Sequence, residues 1–194
     1  LLSMPFYHSF GLTRLRTLFL VGQTGFIADG LKKFPEIYKF SKAYSFTGLS
    51  LVPSAIAIIK DMLRSKARAF VSNVRYLEIG SSSISFDSRV WLKDNFLNAK
   101  VIHHYGMTEC SRAFIRCRGL EDDFNVDDSW IGEPLDGCDY KIAGSKNGGE
   151  LLLKGKNLFT GYLQDKLTEA KMYGDWLKTG DVCTVQNGNI LLLG

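Results

Sequence analysis

The hydrophobic period of this chain changes once, near Cys110, and that change limits its possible folds more than any other feature. Before it, short apolar runs alternate with segments whose apolar residues recur at three- and four-residue spacing, the period of a helix. Residues 46–52 read as a buried strand. Pro53 then suits the first turn of a helix, where its missing N–H costs nothing, and Ile56, Ile59 and Leu63 mark that helix's apolar face. An earlier helix is expected from about Leu31 to Ala43, with Leu31, Phe34, Ile37 and Tyr38 near one face, after a short apolar run at residues 18–21 closed by Gly22 and Gly25. Residues 74–79 read as a strand. Ser85 is placed to cap a helix running to about Leu97, with Asp87 favourable to its dipole and Phe86, Val90 and Leu97 near one face. Residues 99–103 form the next expected strand. Strands alternating with helices of about 10–15 residues indicate a largely parallel sheet with crossover helices.

After Cys110 the helical period fades, and short strand-like runs separated by turn signals replace it. Lys146-Asn147-Gly148-Gly149 lies between apolar runs at 140–143 and 150–153, and Gln186-Asn187-Gly188-Asn189 lies between runs at 182–185 and 190–193. Asn-Gly is a strong hairpin signal because both residues tolerate positive φ. One brief helix is expected near residues 165–171. The expected fold class is therefore α/β: a largely parallel sheet with crossover helices over residues 1–110, followed by a smaller β-rich, barrel-like subdomain over residues 111–194. The sequence contains no internal repeat and no low-complexity segment.

Composition narrows the function classes. The 194 residues are 45% hydrophobic and 23% charged, an ordinary globular balance. The net charge is +4, and apart from a loose group at Lys60, Arg64, Lys66 and Arg68 the basic residues are scattered. Nucleic-acid binding normally shows a denser basic stripe, so no nucleic-acid partner is expected. Cys110, Cys117, Cys138 and Cys183 show neither a C-x-x-C pair nor metal-ligand spacing, and read as reduced thiols of a cytoplasmic protein. No apolar run approaches the roughly 20 residues a spanning helix needs, and no signal peptide is visible. The chain opens on Leu1-Leu2 and stops on Ile190-Leu191-Leu192-Leu193-Gly194. Natural termini are usually polar and frayed, so a piece of a longer protein is expected.

Two segments fall where open α/β sheets bind ligands, at the carboxyl ends of strands. Gly80-Ser81-Ser82-Ser83-Ile84 offers small residues that let a ligand approach the backbone, and hydroxyls that donate or accept. It is not a G-x-G-x-x-G fingerprint, so a dinucleotide fold gains little support, and a Gly/Ser cluster alone also fits an ordinary loop. Tyr105-Gly106-Met107-Thr108-Glu109 packs an aromatic ring, a glycine, a hydroxyl and a carboxylate into five residues. That set suits stacking a base, approaching a phosphate and binding a cation, although by composition a plain loop fits equally. Trp176-Leu177-Lys178-Thr179-Gly180-Asp181 ends in a carboxylate expected on a turn.

The order and spacing of these segments resemble the adenylate-forming superfamily of acyl- and aryl-CoA synthetases, firefly luciferase and peptide-synthetase adenylation domains. Met4-Pro5-Phe6-Tyr7-His8-Ser9-Phe10-Gly11-Leu12 is similar to that family's P-L-F-H-x-x-G segment, and Ser50-Leu51-Val52-Pro53 to its V-P turn before a helix. Gly80 to Ile84 takes the place of G-G-A-P-L, and Tyr105 to Glu109 fits Y-G-x-T-E. Ile131-Gly132-Glu133-Pro134 resembles V-G-x-P, Gly149 to Leu163 resembles G-E-L…G-Y, and Trp176 to Asp181 resembles W-x-x-T-G-D.

The resemblance implies an activity and its site. Family members use Mg-ATP to convert a carboxylic acid to an acyl-adenylate and pyrophosphate. They then pass the acyl group to a thiol, either coenzyme A or the phosphopantetheine arm of an acyl or peptidyl carrier protein. By the same resemblance Tyr105 stacks on adenine with Gly106 beside it, Thr108 bonds the α-phosphate, Glu109 holds Mg²⁺, and Asp181 accepts from both ribose hydroxyls. Gly80, Ser81, Ser82 and Ser83 line the adenine and acyl groove, with Ser83 towards the acyl group. His8 lies near the acyl or thiol channel, with a capped strand-end histidine as the other reading. Neighbours on a strand point to opposite faces, so only one of His103 and His104 faces the acyl pocket, and His104 is the choice.

Three serines at 81–83 replace the usual Gly-Ala-Pro, which implies a more polar groove floor. The family's Ser/Thr/Gly-rich phosphate loop and its lysine-bearing C-terminal domain do not occur in these residues, so the 194-residue chain alone is expected not to turn over. An amino-acid substrate would bring an aspartate near the early groove, and residues 46–53 contain none, which favours a plain acyl or aryl acid. A non-catalytic adenylate-binding relative stays open. So does an unrelated nucleotide-binding α/β module, which would require a helical region after Cys110.

Overall fold

Strand β1 (Gly48–Leu51) has all four residues buried, which a strand can tolerate only where both faces of its sheet are covered. The computed structural model describes residues 1–31, 33–80, 82–119, 122, 127–145 and 148–194. It divides into two compact units, residues 1–103 with 117–126, and residues 104–116 with 127–194.

In the first unit β1 pairs in parallel with β2 (Tyr76–Gly80), Leu49 opposite Leu77, and β2 is flanked on its other side by β3 (Lys100–Met107), of which residues 100–103 belong to this unit. Leu2 makes further parallel bridges to Ile27 and Ser50. The helices are α1 (Ser9–Val21), α2 (Phe34–Ala43), α3 (Pro53–Leu63), α4 (Ala67–Val71) and α5 (Phe86–Asn95). Pro53 opens α3, and Ile56, Ile59 and Leu63 are buried on its inner face, as their spacing predicts. Leu49, Leu51, Ile56, Ile59, Leu77, Ile79 and Val101 share one core.

Ser85 caps α5 by accepting from the Ser88 N–H at 3.3 Å. The apolar face expected for this helix is corrected: Phe86 and Leu97 are 72% and 70% exposed, while Ser88, Leu92 and Phe96 are buried. A helix at Ser9–Val21 stands where the sequence offered only an apolar run, and Gly22 terminates it with φ +63°. Only Gly11 of α1 is buried, so no stripe of buried apolar residues announces the helix.

The second unit is β-rich. Strand β4 (Cys110–Gly119) lies between β3 and the short β5 (Glu133–Pro134). A second sheet, antiparallel throughout and curled as a half-barrel, runs in the order β10 (Asn189–Leu192), β9 (Trp176–Gln186), β7 (Gly148–Gly155), β6 (Cys138–Ser145), with β8 (Met172–Tyr173) also on β9. Helix α6 (Asp165–Lys171) coincides with the brief helix expected there. The hairpin at Asn187-Gly188 forms with φ +52° and +81°, joining Gln186 to Asn189. Ser145 pairs with Gly148 as the other Asn-Gly signal requires, while Lys146 and Asn147 lie outside the described residues.

Cys110, Phe114, Leu151, Leu153, Leu177, Cys183 and Ile190 form this unit's core. Arg116 is buried beside it, and a buried guanidinium must be paired. Its Nη1 donates to the carbonyls of Trp130 at 2.9 Å and Asp127 at 3.3 Å, and Nη2 lies 3.7 Å from Asp128 Oδ1. All four cysteines are free thiols. Among the described residues no helix is long and apolar enough to cross a membrane.

Candidate functional site

Six of the sequence-predicted residues belong to the second unit: His104, Tyr105, Gly106, Thr108, Glu109 and Asp181. Tyr105 and Gly106 continue β3 rather than leaving it, and Thr108 and Glu109 form the two-residue turn into β4. A Cβ on Gly106 would stand 2.6 Å from the Ser111 carbonyl oxygen and 2.8 Å from that of Cys110. The backbone of β4 folds back against Gly106, and that close approach explains the glycine.

Asp181 is not on a turn. It sits inside β9, at a bulge: Leu152 pairs with Lys178 and Glu150 with Val182, so Thr179, Gly180 and Asp181 oppose Leu151 alone. Extra residues in one strand bend it and re-aim its side chains, and here the Thr-Gly-Asp sequence supplies what the bulge needs. The Thr179 hydroxyl donates to the Leu151 carbonyl at 2.7 Å and accepts from the Asp181 N–H at 3.0 Å. Gly180 takes φ +86°, a region that favours glycine, and its N–H donates to Glu150 Oε1 at 2.9 Å.

The re-aimed Asp181 carboxylate meets Tyr105, whose hydroxyl donates to Oδ2. Burial, followed by the hydrogen bond and charge of Asp181, pushes the Tyr105 phenol well above its ordinary range, so it remains a donor. The Tyr105 ring is held edge-on to Phe114, centroids 6.0 Å apart. At the turn, Glu109 accepts at Oε1 from the Tyr162 hydroxyl, and this hydrogen bond raises the Tyr162 phenol's pKa. The Phe159 N–H donates to the Glu109 carbonyl at 2.7 Å. Thr108 is exposed, Glu109 half-buried and His104 buried.

Gly80, Ser82, Ser83 and His8 belong to the first unit. Gly80 ends β2 and is buried, whereas Ser82 and Ser83 are exposed; Ser81 lies outside the described residues. His8 is exposed at the N-cap of α1, making no side-chain cap bond, with its ring 4.6 Å from that of Tyr7. A cavity of about 580 Å³ in this unit is lined by Arg14, Leu18, Phe26, Phe40, Gly48 and Tyr76. It lies at the amino end of β1, away from Gly80 and Ser83, and contains none of the predicted residues.

Residues 1–163 match the family described as AMP-binding enzyme. The chain belongs to that family. Its curated relatives include a 4-coumarate–CoA ligase-like protein of Arabidopsis thaliana, 26% identical, matched over 100% of this chain and 35% of its own length. Another is the 2-succinylbenzoate–CoA ligase of Bacillus pumilus, 27% identical over 100% of this chain and 39% of its own. The chain thus spans between a third and two-fifths of the length of these relatives. The fold matches O-succinylbenzoate coenzyme A synthetase from Bacillus subtilis, solved in complex with AMP, with TM-score 0.81 and 23% identity over 98% of this chain and 40% of that one. It also matches the N-terminal domain of FACL13 from Mycobacterium tuberculosis, with TM-score 0.85 and 17% identity over 100% of this chain and 49% of that one.

Thr179, Glu150 and Tyr162 also hold this arrangement, and their residue types alone do not reveal it: each has a hydrogen-bond partner 28 to 53 residues away.

Proposed function

We propose that this chain forms the nucleotide-binding wall of an AMP-forming acid–thiol ligase. The observation that supports the reading is the Tyr105–Asp181 hydrogen bond, which brings an aromatic ring and a carboxylate together. An adenosine needs that combination, a flat surface for the base and acceptors for the ribose hydroxyls.

In this reading the substrate carboxylate attacks the α-phosphorus of ATP, an O–P bond forms, and pyrophosphate leaves. A thiol then attacks the acyl carbon, and AMP departs with the C–O bond electrons. Tyr105 is the platform for adenine and Gly106 keeps β4 close behind it. Asp181 accepts from the ribose, and the Thr108 hydroxyl on the exposed turn donates to the α-phosphate. Such chemistry depends on positioning and charge stabilisation more than on covalent help. His104, Gly80, Ser82, Ser83 and His8 are assigned to the groove and the acyl path.

Glu109 is the residue that would hold Mg²⁺. Among the described residues no group of three or more His, Cys, Asp or Glu side chains could form a metal cage. A single carboxylate fits Mg²⁺, which keeps several waters and binds through one or two carboxylates plus substrate phosphates. When bound, the ion neutralises charge on the phosphates.

The relatives named CoA ligases support coenzyme A as the thiol, and the lack of an acidic residue in residues 46–53 supports a plain acyl or aryl acid. The phosphate loop and lysine-bearing domain are assigned to further parts of the same polypeptide. ATP–pyrophosphate exchange tests this: the full-length protein exchanges in the presence of its acid, and the 194-residue chain does not. Exchange by the short chain, or none by the full-length protein with any of a panel of acyl and aryl acids, would overturn the proposal.

A further inference from the structure

We infer that Tyr162 is a positioning residue for the Glu109 carboxylate, presenting one of its oxygens to the metal. The inference rests on the reading of Glu109 as the magnesium ligand. Glu109 occupies a two-residue turn, where a long side chain on a half-exposed position has several rotamers open to it. The Tyr162 hydroxyl donates to its Oε1 and selects one of them.

The contact is built rather than incidental. Leu158 bridges to Cys110, the residue after Glu109, and the Phe159 N–H donates to the Glu109 carbonyl at 2.7 Å, which fixes the register of the two segments. Three residues on, the Tyr162 N–H donates to Thr168 Oγ1 of α6 at 2.8 Å. The rings of Phe159 and Tyr162 pack edge-on with centroids 4.8 Å apart. Gly161 between them takes φ +149°, and a Cβ there would stand 3.0 Å from Thr168 Oγ1. Backbone, ring packing and helix thus converge on one placement of the hydroxyl, 53 residues from its acceptor.

With Oε1 held by a neutral donor, the carboxylate keeps its charge and would offer its other oxygen to the cation. Mg²⁺ demands near-octahedral geometry and tolerates misplacement poorly. Hydrogen-bond partners that orient a metal ligand commonly account for 10- to 100-fold in metal affinity. Tyr162 supplies that orientation without adding charge.

The test is Mn²⁺ binding to the full-length protein with a non-hydrolysable ATP analogue, read by electron paramagnetic resonance of the free ion. Tyr162→Phe keeps the ring against Phe159, so its unfolding midpoint should stay close to that of the unmutated protein while Mn²⁺ binding weakens about ten-fold. Glu109→Gln should lose the site, and adding Tyr162→Phe to it should change nothing further. If Tyr162→Phe binds Mn²⁺ as well as the unmutated protein or better while Glu109→Gln loses it, the positioning role is overturned alone. If Glu109→Gln retains full affinity, the assignment of Glu109 itself fails.

Discussion

The Thr179 hydroxyl offers the sharpest test of how β9 aims Asp181. It is 6% exposed and holds both sides of the bulge, donating to the Leu151 carbonyl at 2.7 Å and accepting from the Asp181 N–H at 3.0 Å. Thr179→Val keeps the shape and removes both bonds. Each is worth about 1 kcal/mol net, and leaving a buried carbonyl and N–H unmatched adds to that, for a total on the order of 2–4 kcal/mol. At roughly 2–4 °C per kcal/mol for a chain of this size, the midpoint falls by roughly 5–15 °C. Thr179→Ser is the control: it keeps both hydrogen bonds and loses only a methyl group, about 1 kcal/mol. The assay is thermal unfolding followed by tryptophan fluorescence, with Trp130 and Trp176 reporting on the second unit. If the Val and Ser variants melt together, the hydroxyl does not hold the bulge.

Gly180→Ala isolates the backbone at the same place. Its Cβ would meet nothing closer than Lys171 Nζ at 4.0 Å, so the cost is conformational, about 1–2 kcal/mol in urea unfolding, with Gly180→Asn falling between the two. Equal stability of all three would show that φ +86° is not required there. Burial, reinforced by the charge of Asp181, pushes the Cys183 thiol from 9.0 up to about 11. The unfolded thiol ionises first, so this contribution is complete below about pH 9 and is lost as pH rises through about 11, on the order of 2 kcal/mol. Denaturation curves of Cys183→Ala should lack that part of the alkaline slope, and an unchanged slope would refute the assignment. Arg116→Leu removes a buried cation from two carbonyls and Asp128 and should cost about 3 kcal/mol by chemical unfolding. A loss under about 1 kcal/mol would mean the loop at residues 127–130 is held by other contacts.

Local chemistry was readable in the sequence wherever it was decided locally. Pro53 begins α3, Ser85 caps α5, and Asn187-Gly188 turns β9 into β10, because each feature depends on a residue's own φ or on a partner within a few positions. The Thr-Gly-Asp segment read as a turn for the same local reason, since glycine flanked by Thr and Asp is ordinary turn chemistry. Only pairing with Glu150 and Leu152 reveals three residues opposing one within a strand. The inner face of α5 is not legible in the sequence because buried Ser88 carries no hydrophobic signal, while the apolar Phe86 and Leu97 are exposed. For the site, residue types and order pointed to Tyr105, Glu109 and Asp181. The contacts that pair Tyr105 with Asp181, Glu109 with Tyr162 and Thr179 with Leu151 span 76, 53 and 28 residues of chain, beyond the reach of any spacing rule.

In the proposed function Tyr105 and Asp181 together hold an adenosine. This role is tested most directly by isothermal titration of the full-length protein with a non-hydrolysable acyl-adenylate mimic, alongside the Asp181→Ala variant and a mimic lacking the ribose 2′-hydroxyl. Loss of hydrogen bonds to a charged acceptor is worth about 1.5–3 kcal/mol, so Asp181→Ala should bind roughly 10- to 100-fold more weakly. The deoxy mimic should weaken binding to the unmutated protein and make little difference to the variant. Equal affinity of Asp181→Ala and the unmutated protein for the intact mimic would rule out Asp181 as the ribose acceptor.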